Sequence, residues 1–189
     1  MGSAQPIRSK KEIKELAAYY LSRGEIRNYA FIVLGLHTAL RVSDLLRLTW
    51  DDVYDFTQQN VRMNVCLTEK KTGKTKIVAL NSAAVKALKL LARQAAHRGR
   101  YLIENKQTKR AISRIQAYRL IRDAAAAIGI ERASCHSLRK TFGYFAWKSG
   151  VSPAIIMEIY NHSSLEVTRR YLGVTQDDKD KVYRDLRLF

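Results

Sequence analysis

The sequence predicts an α+β domain, mainly helical, with a small antiparallel β-hairpin set among the helices. Three observations carry this. Apolar residues recur at helical spacing through most of the chain, in segments bounded by capping residues and glycines. One stretch, "VRMNVCL" at 61–67, switches to a period of two and runs into a Lys- and Gly-rich turn. The 189 residues contain neither an internal repeat nor a low-complexity linker, so one sizeable core is the natural outcome.

The elements follow in order. Ser9 with Glu12 forms a capping box and starts an amphipathic helix through "IKELAAYYL" that ends before Gly24. A second, more apolar and so more buried helix fits 26–38. Ser43 with Asp44 opens a short third helix over "DLLRL". Val61, Met63, Val65 and Leu67 then line one face of a strand, "KKTGK" turns the chain, and "TKIVAL" returns it. Helices resume over 82–96 and 113–128, the latter stopped by Gly129. "HSLRKTFGYFAWKSG" forms another, stopped at Gly150. Ser152 caps the next, with Pro153 at its first position. Ser163 with Glu166 makes a capping box for the helix that ends near Tyr171, and a charged helix over 177–186 closes the chain.

Composition narrows the partner. Lys and Arg number 34 against 17 Asp and Glu, a net charge of +17 and a pI near 10.1. Such an excess points to a polyanion, because neutralising phosphates releases counterions and drives association. Two cysteines, Cys66 and Cys135, make no disulfide framework, and each is expected as a buried reduced thiol. No Cys, His and acid cluster has metal-ligand spacing. The longest apolar run, "YAFIVLGLHTAL" at 29–40, is too short and interrupted to span a bilayer, and the N-terminus lacks a signal-peptide pattern. The expected location is the cytoplasm, where the nucleic acid is.

Six side chains could carry chemistry. His136 and Arg139 lie three apart on a predicted helix and project from one face, among Leu138, Phe142 and Phe145. Taken alone they also fit a histidine bonded to a carbonyl and an arginine paired with a carboxylate. Arg41 stands where one helix ends and the next begins, and Asp44 is close enough to hold it. A helix-terminal arginine can equally serve the helix dipole. Lys71 sits at the hairpin tip, either in a solvated loop or as a lysine carried toward DNA. His162 and Tyr171 are nine residues apart. With most of that interval helical, their backbones lie about 10–13 Å apart and the tyrosine leans back toward the histidine, leaving room for a phosphate. A phenol is a poor nucleophile until a base or nearby cations favour the phenolate. Together the set suits phosphoryl transfer without a metal: arginines neutralise the non-bridging oxygens, a tyrosine attacks and a cationic acid protonates the leaving oxygen.

In this order the residues resemble the tyrosine recombinases, the phage integrase family, in their catalytic domain, from about Ile7 onward. The family's T-G-x-R-[IV]-S-E-L motif stands as "HTALRVSDLL", with Ala39 for the glycine and Asp44 for the glutamate. H-x-x-R is intact as His136 and Arg139. The L-G-H-S-S…Y motif stands as "IYNHSSLEVTRRY", with Tyr160 and Asn161 for the Leu-Gly pair. The hairpin lysine of the family maps onto Lys71, with Lys70 and Lys74 as alternatives in register. The resemblance implies the family's catalytic-domain fold and no cofactor, neither metal nor ATP. It implies that Tyr171 attacks a DNA phosphodiester to give a 3′-phosphotyrosyl link and a free 5′-hydroxyl. Arg41, Arg139 and His162 would hold the phosphorus, His136 would help deprotonate Tyr171, and Lys71 would protonate the leaving 5′-oxygen. Arg169 and Arg170 would contact the DNA backbone or form an internal salt bridge. The implied partners are double-stranded DNA, other protomers in a synaptic tetramer and accessory DNA-bending proteins, with no membrane. The implied setting is a bacterial or phage-encoded protein at the nucleoid.

The resemblance also divides the chain. Residues 1–175 would be the catalytic domain, and 176–189 a tail that is exchanged between protomers or folds back on its own domain. The family's N-terminal DNA-clamping domain would be absent. The same residues also admit two rival functions: strand relaxation of the type IB topoisomerase kind, and a non-catalytic DNA-binding regulator with the same fold.

Overall fold

The computed structural model describes residues 4–94, 99–173 and 183–186. Helix α1, Lys10–Leu21, starts where Ser9 accepts a hydrogen bond from the Glu12 amide at 3.3 Å. Helix α2, Ile26–His37, is the most deeply buried: Ala30, Phe31, Ile32 and Leu34 are almost wholly removed from solvent. It packs against α1, against α5 (Ser82–Gln94) and against α7 (Cys135–Lys148). A helix whose central run, residues 30–36, is wholly apolar is stable only with neighbours on most sides. Helix α6, Arg114–Ala127, is set by a complete capping box between Ser113 and Gln116.

Between α2 and α5 lie two one-turn helices, α3 (Val42–Leu45) and α4 (Trp50–Val53), and four short strands. Strands β1 (Tyr54–Asp55) and β2 (Asn60–Val61) pair antiparallel, as do β3 (Asn64–Thr68) and β4 (Thr75–Ala79). The first pair and α4 were not legible in the sequence, because elements this short carry no period. In the second pair Val65 faces Val78 and Leu67 faces Lys76 on the inner side, while Cys66 faces Ile77 on the outer side.

Several expectations need correction. The third helix begins at Val42, with Arg41 as its N-cap, rather than at Ser43. Met63 does not share the buried face of Val61 and Val65. It is 67% exposed because the chain turns between β2 and β3 and the alternation loses phase. Cys66 is exposed rather than buried, since it lies on the outer face of β3. Cys135 is half-buried, and burial raises its thiol pKa to about 11. The helix ending near Tyr171, α9 (Leu165–Leu172), is capped by Ser164, whose hydroxyl accepts from the Val167 amide at 3.3 Å. Ser163 therefore lies outside it. Of the helix expected over 177–186, residues 177–182 lie outside the described residues, and 183–185 are helical.

A second, smaller core sits beside the main one, between α7, α8 (Pro153–Tyr160) and α9. Ala39, Ile156, Tyr160 and Leu172 form its buried centre, with Phe142, Trp147 and Tyr171 packed on it. No described helix is long and apolar enough to cross a membrane.

Candidate active site

The C-terminal end of α8 organises the site. Its last carbonyls have no partner within the helix and carry the negative end of the helix dipole. The Tyr160 carbonyl accepts from Arg41 Nη2 at 3.2 Å and from Arg139 Nη2 at 2.9 Å. The neighbouring Ile159 carbonyl accepts from Lys76 Nζ. Three cations distant in sequence thus meet at one helix terminus.

Local geometry explains how each arrives. Arg41 follows α2 as the N-cap of α3. Just before it, Ala39 adopts a left-handed backbone with φ of 54°, a conformation costly for any residue with a Cβ. Its carbonyl accepts from Arg139 Nη1, so that strained turn lies in contact with the arginine of α7. Arg139 is only 3% exposed, and its guanidinium stacks on the Tyr160 ring with 4.5 Å to the centroid. The Tyr160 hydroxyl donates back to the Arg139 carbonyl at 2.6 Å. This packing needs Gly143, where an added Cβ would come within 2.3 Å of the Tyr160 hydroxyl.

His162 and Tyr171 meet directly. Their ring centroids are 5.0 Å apart in an edge-to-face arrangement, and each lies about as close to the Tyr160 ring. The expected phosphate-wide gap between them is therefore not what is found: the leaning tyrosine closes it. His162 Nδ1 is 3.1 Å from the buried Thr168 hydroxyl, which fixes the ring. Lys140 Nζ lies 4.9 Å over the Tyr171 ring. His136 is exposed on the first turn of α7, and Lys71 is exposed on the turn between β3 and β4. The charge of Lys71 is the smallest of the influences that lower the pKa of both His136 and His162.

The expectation that Asp44 holds Arg41 is overturned. Asp44 is buried, but its Oδ1 accepts from the Lys70 backbone amide at 2.9 Å. Arg41 Nη1 pairs instead with Glu69 Oε2 at 2.7 Å. Glu69 is 1% exposed, and its Oε2 also accepts from Asn161 Nδ2 at 2.8 Å and from the Thr72 hydroxyl at 2.9 Å. Its Oε1 lies 3.9 Å from Lys76 Nζ. Neither Glu69 nor Lys76 was singled out from the sequence. Glu69 was visible as the lone acid in "TEKKTGKTK", and Lys76 as the residue two before Val78 on the inward face of β4. Of the two exposed arginines of α9, Arg170 pairs with Glu166 at 2.8 Å, the internal salt bridge of the two alternatives.

Burial and charge set the protonation states. Burial alone would raise the Glu69 pKa, but the hydrogen bonds from Asn161, Arg41 and Thr72 and the Arg41 charge bring it down to about 2. Burial, then the Arg139 and Arg41 charges, lowers Lys76 to about 8 against the pull of Glu69. Burial, then Arg139, Arg41 and Lys71, lowers His162 to about 4, and the same kinds of cause lower His136. Burial raises Tyr171, opposed by the charge and hydrogen bond of Arg139 and by Arg41. At neutral pH the site therefore holds a protonated phenol, two uncharged imidazoles and a set of cations.

The His162 shift gives a signed prediction. Its folded pKa of about 4 lies below the ordinary 6.5, so between these values the unfolded chain binds a proton that the folded chain excludes. Its contribution to stability is complete above the ordinary value and is lost as pH falls through the folded one. Imidazole NMR should show the His162 ring uncharged from about pH 5.5 to 8, and a midpoint near the ordinary histidine value would contradict this.

Comparison with known proteins agrees with the geometry. Residues 8–177 match the phage integrase family. The chain is 38% identical over 185 residues to the probable integrase/recombinase YoeC of Bacillus subtilis, spanning 97% of each protein. It is 27% identical over 178 residues to the tyrosine recombinase XerC of Roseiflexus castenholzii, covering 90% of this chain and 54% of that one. The crystal structure of XerA recombinase superposes with a TM-score of 0.78 at 25% identity, over 99% of this chain and 67% of that one. The match over 8–177 and the close relation to YoeC place the chain in the phage integrase family, and its enzyme class is that of the tyrosine-type site-specific recombinases.

Proposed function

We propose that this chain cleaves and rejoins DNA strands at specific sites through a 3′-phosphotyrosyl intermediate, with Tyr171 as nucleophile and Arg41, Lys71, His136, Arg139 and His162 as its catalytic partners. The observation that carries this is the convergence of Arg41 and Arg139 on the Tyr160 carbonyl, in one cluster with a tyrosine whose ring lies 5.0 Å from that of His162.

The step balances without outside reagents. Tyr171 Oη bonds to phosphorus as the bond from phosphorus to the 5′-oxygen breaks. The phenol proton passes to uncharged His136, and the departing 5′-oxygen takes a proton from Lys71. Arg41 and Arg139 neutralise the charge that builds on the non-bridging oxygens, where preorganised cations act most strongly. A 5′-hydroxyl from a second duplex then attacks the phosphotyrosine, giving its proton to Lys71 as the bond from phosphorus to Tyr171 Oη breaks and the phenolate takes its proton back from His136, so the bond energy is conserved and no nucleotide is consumed. Exchange between two duplexes cuts four strands and so calls for four protomers on the DNA. The +17 charge supplies the non-specific attraction to the duplex.

The test is to trap the protein on genomic DNA, denature it, and sequence the attached ends. Ends clustered at discrete sites, joined through a 3′-phosphate to Tyr171, are expected. A nicked duplex built on such a site should then accumulate a detergent-resistant adduct. DNA binding without any adduct would reject the proposal in favour of the regulator reading.

A further inference from the structure

Two carboxylates are buried beside this cluster of cations, and they are used differently. Asp44 bonds a single backbone amide of the hairpin, that of Lys70. Glu69 gathers side chains from four separate segments: Arg41 ahead of α3, Thr72 in the hairpin turn, Lys76 in β4, and Asn161 just after α8. The backbone of Glu69 also closes the turn. Its amide donates to the Lys74 carbonyl at 3.0 Å, and its carbonyl accepts from the Gly73 amide at 2.9 Å. Asn161 reaches it from a left-handed residue with φ of 51°, where most side chains are strained but asparagine is tolerated. The turn that carries Lys71 is thus tied, through one side chain, to Arg41 and to the end of α8.

A negative charge here is not what a phosphate pocket needs for affinity, because it repels the substrate. Nor is it an efficient source of stability, since the desolvation of a buried ion pair cancels much of its Coulomb gain. What it does provide is registry. Arg41 and the turn cannot shift independently while both are bonded to Glu69 Oε2.

We propose that Glu69 is a positioning residue that fixes Lys71 relative to Arg41, so that a phosphate held by the arginine has its leaving oxygen within reach of the lysine. This rests on the reading of Lys71 as the acid and Tyr171 as the nucleophile. It makes proton delivery to the leaving group, rather than phosphate binding, the step that depends on Glu69.

The experiment compares two nicked duplexes with the same sequence. One has the ordinary 5′-oxygen at the scissile phosphate and the other a bridging 5′-sulfur. Cleavage of the first needs a proton on the departing oxygen. In the second the bond from phosphorus to sulfur breaks and the thiolate leaves without one. Glu69→Gln should slow adduct formation on the oxygen substrate by about 10²-fold, the scale of a general acid, and stay within about threefold of wild type on the sulfur substrate. Lys71→Ala should show the same split. Thr72→Val, which removes the turn's bond to Glu69 but keeps the buried charge, should show a smaller split in the same direction, and it carries the test if Glu69→Gln melts below the assay temperature.

An equal defect on both substrates would assign Glu69 to Arg41 or to the fold alone and would overturn the inference, as would no defect on either. A Lys71→Ala variant without the split would overturn the inference together with the role given to Lys71. Absence of any wild-type adduct, or an adduct that survives in Tyr171→Phe, would instead reject the proposed function.

Discussion

Replacing Tyr171 with phenylalanine will abolish the covalent DNA adduct while leaving DNA binding and folding nearly intact. The ring is half-buried, edge-on to Tyr160 and His162, and phenylalanine preserves those contacts. What is lost is the hydroxyl, which interacts with Arg139 and which no neighbouring group can replace as a nucleophile. Removing the attacking atom of a covalent mechanism costs at least about 10⁴-fold in rate, so the adduct should fall below detection. The measurement is a denaturing gel of the nicked duplex, read beside a binding isotherm and a melting curve. A variant that loses binding in parallel with the adduct would mean that Tyr171 supports the fold and not the chemistry. That outcome deserves a direct check, because burial keeps the phenol protonated and the same side chain helps to cover the smaller core.

Arg139→Ala should have the second-largest effect, and it should appear in stability as well as rate. Arg139 is almost fully buried, donates to the Ala39 and Tyr160 carbonyls, and stacks on the Tyr160 ring. Its removal leaves one buried carbonyl bare and another reliant on Arg41, at about 1–3 kcal/mol for each group left unsatisfied. A loss of about 3 kcal/mol would lower Tm by on the order of 10 °C in a domain of this size. Adduct formation should fall by about 10²–10³-fold, the scale of a deleted transition-state donor. Arg139→Lys should keep the charge but not the two-carbonyl geometry, so it should recover little of either. A melting curve and a single-turnover adduct assay check both parts. A stable Arg139→Ala protein with normal rates would show that the guanidinium serves neither the pocket nor the phosphate.

Much of the candidate site was readable because the residues proposed for it stand in local motifs. Arg41, His136, Arg139, His162 and Tyr171 stand in segments whose spacing and flanking residues are recognisable one at a time, and each segment sits at a helix end. Such ends leave clear marks: Ser9, Ser113, Ser152 and Pro153 cap or start the helices they were expected to. The hairpin was readable up to the point where its alternation lost phase at Met63. Other parts were not readable because they depend on contacts between distant segments. Nothing near Arg41 in sequence shows that Glu69 rather than Asp44 is its partner, since the choice follows from how the hairpin folds back over α3. The Tyr160-Asn161 pair looked like a departure from the family motif. In three dimensions Tyr160 is the platform under Arg139, and Asn161 is a donor to Glu69.

The sequence by itself determined most of the helices and the main hairpin, the strongly cationic character of the molecule and the set of side chains proposed to handle a phosphate. Helix periodicity, capping and net charge are properties of neighbouring residues or of simple sums, and they need no fold to be read. The tertiary structure alone decided which of those groups touch. It brought Arg41, Lys76 and Arg139 to the carbonyl end of α8, placed Glu69 beneath them and set His162 against Tyr171. Contacts across more than a hundred residues, such as Arg41 to Tyr160, depend on how whole elements pack, and no local pattern in the chain encodes that.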